Sequence, residues 1–124
     1  MAKRKILMVD DEEGFSTLVK MNLEQTGNYE VRVESNALQA VEDAEFFQPD
    51  LILLDVIMPQ KSGREIAGEL AENDRTREIP IVFLTATISR DEVIDHGGMI
   101  GGHPVLATPA ELDELIAIFD KVLG

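Results

Sequence analysis

Cysteine is absent from the 124 residues. That excludes a disulfide framework, a thiolate metal site and a cysteine nucleophile, and it fits a reducing compartment, with the cytoplasm as the simplest assignment. Positive charge is scarce: 11 Lys and Arg stand against 24 Asp and Glu, a net charge of −13. Such a chain repels a polyphosphate backbone and anionic lipid, so direct contact with nucleic acid or a membrane is not expected. Long apolar runs are missing too. The first, Ile6 to Val9, is cut off by Asp10-Asp11 and is too short for a signal-peptide core or a membrane span. Proline is limited to five residues, and no low-complexity tract, repeat or linker interrupts the chain. A chain of this length and composition fits one domain over residues 1–124.

What is present is a regular alternation. Short apolar runs recur at Ile6–Val9, Leu51–Leu54, Ile81–Leu84 and Val105–Ala107, the pattern of strands buried on both faces, while Tyr29 to Val33 alternates as an edge strand does. Between them lie helical stripes: Phe15, Leu18, Val19 and Leu23; then Ala37, Ala40, Val41 and Ala44; and last Leu112, Leu115, Ile116, Phe119 and Leu123. Ser62 with Glu65, Ser89 with Glu92 and Thr108 with Glu111 have capping-box spacing, and Pro109 suits the first position of the last helix. Gly27, Pro49 and Gly97-Gly98 mark stops. The expected architecture is α/β: a doubly wound, five-stranded parallel sheet with helices on both faces.

In such sheets the crevice at the carboxyl ends of the strands is the binding region. Here those ends are polar: Asp10-Asp11 after the first strand, Asp55 after the third, Thr85 after the fourth and Thr108 after the fifth. A lone Asp there is commonly a turn residue or helix cap, and Asp10-Asp11 alone fits either role. If the first and third strands are neighbours, however, three carboxylates converge and repel. A cation should then bind, and an oxygen-only set without His or Cys favours Mg2+. Gly63 reads as a residue permitting close approach of the next helix, and Met58-Pro59 as a loop breaker. His96 suits a helix C-terminus, and His103 a loop or strand edge. The stretch Gly97 to Gly102 lacks the Lys-Ser/Thr of a phosphate-binding P-loop.

These residues together resemble the receiver domain of bacterial two-component response regulators, along essentially the whole chain. Asp10-Asp11 matches the family's acidic pair, Asp55 in D-V-I-M-P-Q-K-S-G its phosphoacceptor, and Thr85-Ala86 its switch hydroxyl. The resemblance implies a flavodoxin-like (βα)5 fold of strand order 2-1-3-4-5. It also implies phosphorylation of Asp55 by a histidine kinase or phosphotransfer protein, with Mg2+ held by Asp11, Asp55 and the carbonyl of Ile57 and with Asp10 acting through water. Thr85 would bind a phosphoryl oxygen, and the surface of the fourth helix, fifth strand and fifth helix would change for a downstream protein target.

Two positions depart from the pattern. Thr108 stands where the family usually has lysine, and Val105 where it usually has an aromatic residue. A neutral hydroxyl cannot replace a charge-assisted contact in kind, and Thr108 reads instead as the helix cap. The leading reading is a phosphorylatable signalling module. The alternative, which Thr108 and Val105 favour, is a pseudo-receiver: an interaction adaptor with impaired phosphorylation. An enzyme of the haloacid dehalogenase type would need a second Asp two residues after its nucleophile, where Ile57 stands, so no enzyme activity is expected.

Overall fold

The computed structural model describes residues 3–86, 98–108 and 110–124. Five strands run parallel: β1 (Arg4–Val9), β2 (Tyr29–Glu34), β3 (Leu51–Asp55), β4 (Ile81–Thr85) and, after a two-residue strand β5 (Met99–Ile100), β6 (His103–Ala107). The order is β2-β1-β3-β4-β6-β5, so the expected 2-1-3-4-5 order holds once β6 is counted as the fifth parallel strand. Strand β5 is an addition to it. It pairs antiparallel with β6 through Ile100 and His103, and the intervening Gly101 and Gly102 have φ of 57° and 83°. A two-residue hairpin of this kind requires positive φ at both central positions, which glycine adopts without steric cost. The glycine-rich stretch is therefore in part a turn at the sheet edge.

The strands are apolar on both faces because helices cover both. One layer packs Leu7, Ile52, Leu54 and Phe83 against α2 (Ala40–Phe47, entered through a 3-10 turn at Ala37–Gln39) and α3 (Gly63–Glu72). The other packs Ile6, Met8, Leu53 and Val82 against α1 (Glu13–Gln25) and α4 (Leu112–Leu123). Successive residues of a strand thus serve opposite layers, and each fully buried Leu, Ile or Phe contributes roughly 1.5–3 kcal/mol. Strand β2 is an edge, as its alternation predicts. Leu18 does not join the α1 stripe: it is 55% exposed, whereas Val19 and Leu23 are buried.

Helix ends separate sound local signals from misleading ones. Ser62 caps α3, its Oγ accepting from the Glu65 N–H at 3.2 Å. Gly27, with φ 82°, follows α1, and Pro49 follows the left-handed Gln48 that ends α2. The capping box expected at Thr108 and Glu111 is not formed. Helix α4 begins at Leu112 with Glu111 as its N-cap, and the Glu111 N–H donates to Glu114 Oε1 at 3.3 Å. The reason lies in the sheet: the Thr108 N–H donates to the Thr85 carbonyl at 2.9 Å, so Thr108 continues the β4–β6 ladder. Its side chain does not cap the helix. The first helical position is Leu112 rather than Pro109, and Pro109 itself, like the Ser89–Glu92 start signal, His96 and Gly97, lies outside the described residues.

Candidate functional site

Because β1 and β3 are neighbours in register, with Val9 opposite Leu54, their carboxyl ends emerge side by side. Asp10 and Asp11 follow one and Asp55 ends the other. One carboxylate oxygen from each of the three lies within 4.8 Å of the others. The hard, all-oxygen donor set suits Mg2+, a cation that takes a few carboxylates and keeps water on its remaining positions.

Each carboxylate is positioned by backbone. Asp10 is buried, and its Oδ1 accepts the Glu12 N–H at 2.9 Å, fixing the turn that starts α1. That contact makes Asp10 a turn residue as well as a member of the cluster, so the two roles open at the sequence level coexist. Asp55 is half-buried and its Oδ1 accepts the Ile57 N–H at 3.3 Å. The segment after it is pinched shut by the Gly63 N–H donating to the Val56 carbonyl at 2.8 Å. A Cβ at Gly63 would collide with the Asp55 carbonyl oxygen, so the close approach inferred for this glycine is real.

Electrostatics follow from burial and crowding. Desolvation, followed by the Asp10 charge, pushes the Asp55 carboxyl up to about 6, with Asp11 adding to the rise and the Ile57 and Val56 N–H groups opposing it. Asp10 is also raised, chiefly by burial, then by Asp11 and Glu12 against the opposing Glu12 N–H. No ion pair among the described residues relieves them; those present join Arg32 to Asp43, Lys61 to Glu69 and Arg77 to Asp74.

Beside the cluster lies a cavity of about 240 Å³ that also brings in Thr85 and Thr108. Thr85 is buried at the end of β4. Val105, by contrast, is buried in the layer that faces α2 and α3 and does not line this cavity. Ile57 is 58% exposed, on the rim loop. Three lining residues were not singled out as functional by sequence reasoning: Glu12, which directly follows the acidic pair, and Phe15 and Leu84, which read as core residues of α1 and β4 but also line the cavity. His103 begins β6, with its ring edge-on to Phe83 at 5.6 Å between centroids, and burial lowers its pKa.

Residues 6–120 match the family described as the response regulator receiver domain. The chain is 42% identical over 122 residues to the alkaline phosphatase synthesis transcriptional regulatory protein PhoP of Bacillus subtilis, covering 97% of this chain and 48% of that protein. It is 35% identical over 119 residues to response regulator Rre1 of Synechocystis sp., covering 96% of this chain and 51% of the other. It therefore spans about half the length of these curated relatives. Among solved structures, the chemotaxis protein CheY4 of Vibrio cholerae at low pH matches with a TM-score of 0.83 and 28% identity over 98% of this chain and 100% of that one. A response regulator from Desulfuromonas acetoxidans matches with a TM-score of 0.82 and 28% identity over 97% and 96%. No described helix is long and apolar enough to cross a membrane.

Proposed function

Since the chain belongs to the receiver domain family of two-component response regulators, we propose that it is a phosphoacceptor switch in which Asp55 takes a phosphoryl group. The observation that carries this reading is the convergence of Asp10, Asp11 and Asp55 at the adjoining ends of β1 and β3. An Asp55 carboxylate oxygen forms the new P–O bond. The donor's bond to phosphorus, a P–N bond in a phosphohistidine, breaks, and the imidazole leaves with the electron pair. Asp55 must be ionised to attack; without metal, burial and the neighbouring carboxylates raise its pKa, and a dication at the cluster would favour the ionised form.

Asp11, Asp55 and the Ile57 carbonyl would hold Mg2+, with Asp10 acting through water. The ion supplies positive charge against the negative charge gathering on the transferring group. Thr85, which lines the cavity, would hydrogen-bond a phosphoryl oxygen of the product. The donor is a histidine kinase or phosphotransfer protein, and the output is an altered surface read by a protein target. In this reading the chain is a cytoplasmic acceptor rather than an enzyme. Its net charge of −13 argues against direct contact with nucleic acid or membrane by these residues.

The pseudo-receiver alternative is favoured by one specific observation: Thr108, not a cation, faces the cavity beside Asp55. Intact mass after incubation with Mg2+ and acetyl phosphate, under rapid acid quench, decides between them. One added phosphoryl group in the wild type and none in Asp55→Asn supports the switch; no adduct in the wild type supports the adaptor.

A further inference from the structure

The cavity beside Asp55 has a lining that the metal does not explain. Its lining carries three carboxylates, from Asp10, Glu12 and Asp55, together with the apolar residues Phe15, Leu84 and Ala86. No lysine or arginine among the described residues lines it. A hydrated divalent ion uses oxygen donors and has no use for an apolar wall. A cation on an alkyl stem uses both: the stem lies on apolar surface while the charged head meets carboxylates. The space, about 240 Å³, admits such a group.

We propose that this cavity receives a lysine or arginine side chain from the protein that donates the phosphoryl group, so that the partner supplies the cation missing from the described lining. The inference rests on the phosphoacceptor reading of Asp55 and extends it to the partner. An incoming phosphoryl dianion adds two negative charges where one Mg2+ supplies two positive ones, and the charge of the carboxylates themselves is left uncompensated. A partner's cation at the Thr108 side would offset part of it at the moment of transfer. Attraction between a basic projection and a chain of net charge −13 would also steer the encounter. Phosphorylation would then be fast from the docked partner and slow from a small donor, which brings no cation of its own.

The test uses n-butylammonium and n-propylguanidinium as probes on the whole chain, with tetramethylammonium and sodium chloride at equal ionic strength as controls. With acetyl phosphate and Mg2+, an Asp55 oxygen bonds to phosphorus, the bridging P–O bond breaks and acetate leaves with the electron pair. The two probes should raise the initial rate saturably by about tenfold, equivalent to about 1.4 kcal/mol, and the controls should not. Thr108→Lys should react faster without a probe and lose the response to it. A second readout needs no phosphodonor: amide shifts of Phe15, Ala86 and Thr108 should move saturably on probe addition in the wild type and stay still in Thr108→Lys. Those shifts support the proposal even if acetyl phosphate leaves Asp55 unmodified, which separates its failure from that of the phosphoacceptor reading. Absence of saturable shifts, equal shifts in Thr108→Lys, or shifts without faster transfer in a chain that does take the phosphoryl group would overturn it.

Discussion

Replacing Asp55 by Asn should make the metal-free protein more stable at neutral pH, although it removes the central residue of the site. Burial and the neighbouring Asp10 hold the Asp55 carboxyl near 6, against an ordinary value of 3.8. Between these two values the native state keeps a proton that the unfolded chain has released. Its stability therefore falls as pH rises from about 4 to about 6, and this contribution is flat above that. Two pKa units correspond to about 3 kcal/mol. Asp55 is half-buried, so solvent screening reduces the figure, and we expect a gain of about 1–2 kcal/mol. Asn has nearly the shape of the protonated acid and carries no charge. Urea unfolding in EDTA at pH 7.5 should thus show Asp55→Asn more stable by about that amount, a rise in midpoint temperature of roughly 3–10 °C. At pH 4 the advantage should vanish. Added Mg2+ should close the gap at pH 7.5, because an ion that binds only the folded wild type stabilises it by about 2.7 kcal/mol at a hundredfold excess over Kd. An equal or lower stability for Asp55→Asn at pH 7.5, or a gain undiminished at pH 4, would refute the argument that burial and the neighbouring carboxylates disfavour the ionised Asp55.

Two further substitutions test the frame around the site. Gly63→Ala places a Cβ against the Asp55 carbonyl; because that obstacle is backbone, a loss of about 2–3 kcal/mol in chemical denaturation is expected, with Gly68→Ala, in open space on the same helix, as the neutral or stabilising control. Glu111→Ala should cost about 0.5–1 kcal/mol through the cap of α4, and Thr108→Ala only a few tenths; the reverse ranking in thermal melts would show that Thr108 caps the helix after all.

The legible parts of this molecule were those written in non-local redundancy. Four apolar runs and one alternating strand can be accommodated together only by a sheet covered on both faces, and that sheet brings Asp10, Asp11 and Asp55 to adjoining strand ends. The parts misread were short and local. Thr108 and Glu111 have capping-box spacing, but so do Glu111 and Glu114, and the choice between them is made by the Thr85 carbonyl, 23 positions away in the chain, which claims the Thr108 N–H. Strand β5 has two residues, too few for any periodicity, and only the pair Gly101-Gly102 signals its turn. Helical spacing assigned Leu18 to the core because it neighbours Val19; a stripe read from sequence is uncertain by about one residue at its margin. Phe15 has two roles, core and cavity wall, and a hydrophobic pattern reports only the first.

The pinch between Val56 and Gly63 has a consequence for how this surface can change. The hydrogen bond at 2.8 Å and the contact of Gly63 with the Asp55 backbone fasten the two ends of a loop whose tip, Pro59 and Gln60, is exposed. What fixes Asp55 is the neck, and the tip hangs from it. Lengthening such a tip is cheap, since doubling a flexible loop adds only about 0.6 kcal/mol of closure entropy. The exposed tip can therefore be rewritten, in length as well as in side chains, while the neck and Ile57, whose N–H steadies the Asp55 carboxylate, stay as they are: within residues 56–63 the part open to change and the part that holds the proposed acceptor are adjacent but distinct.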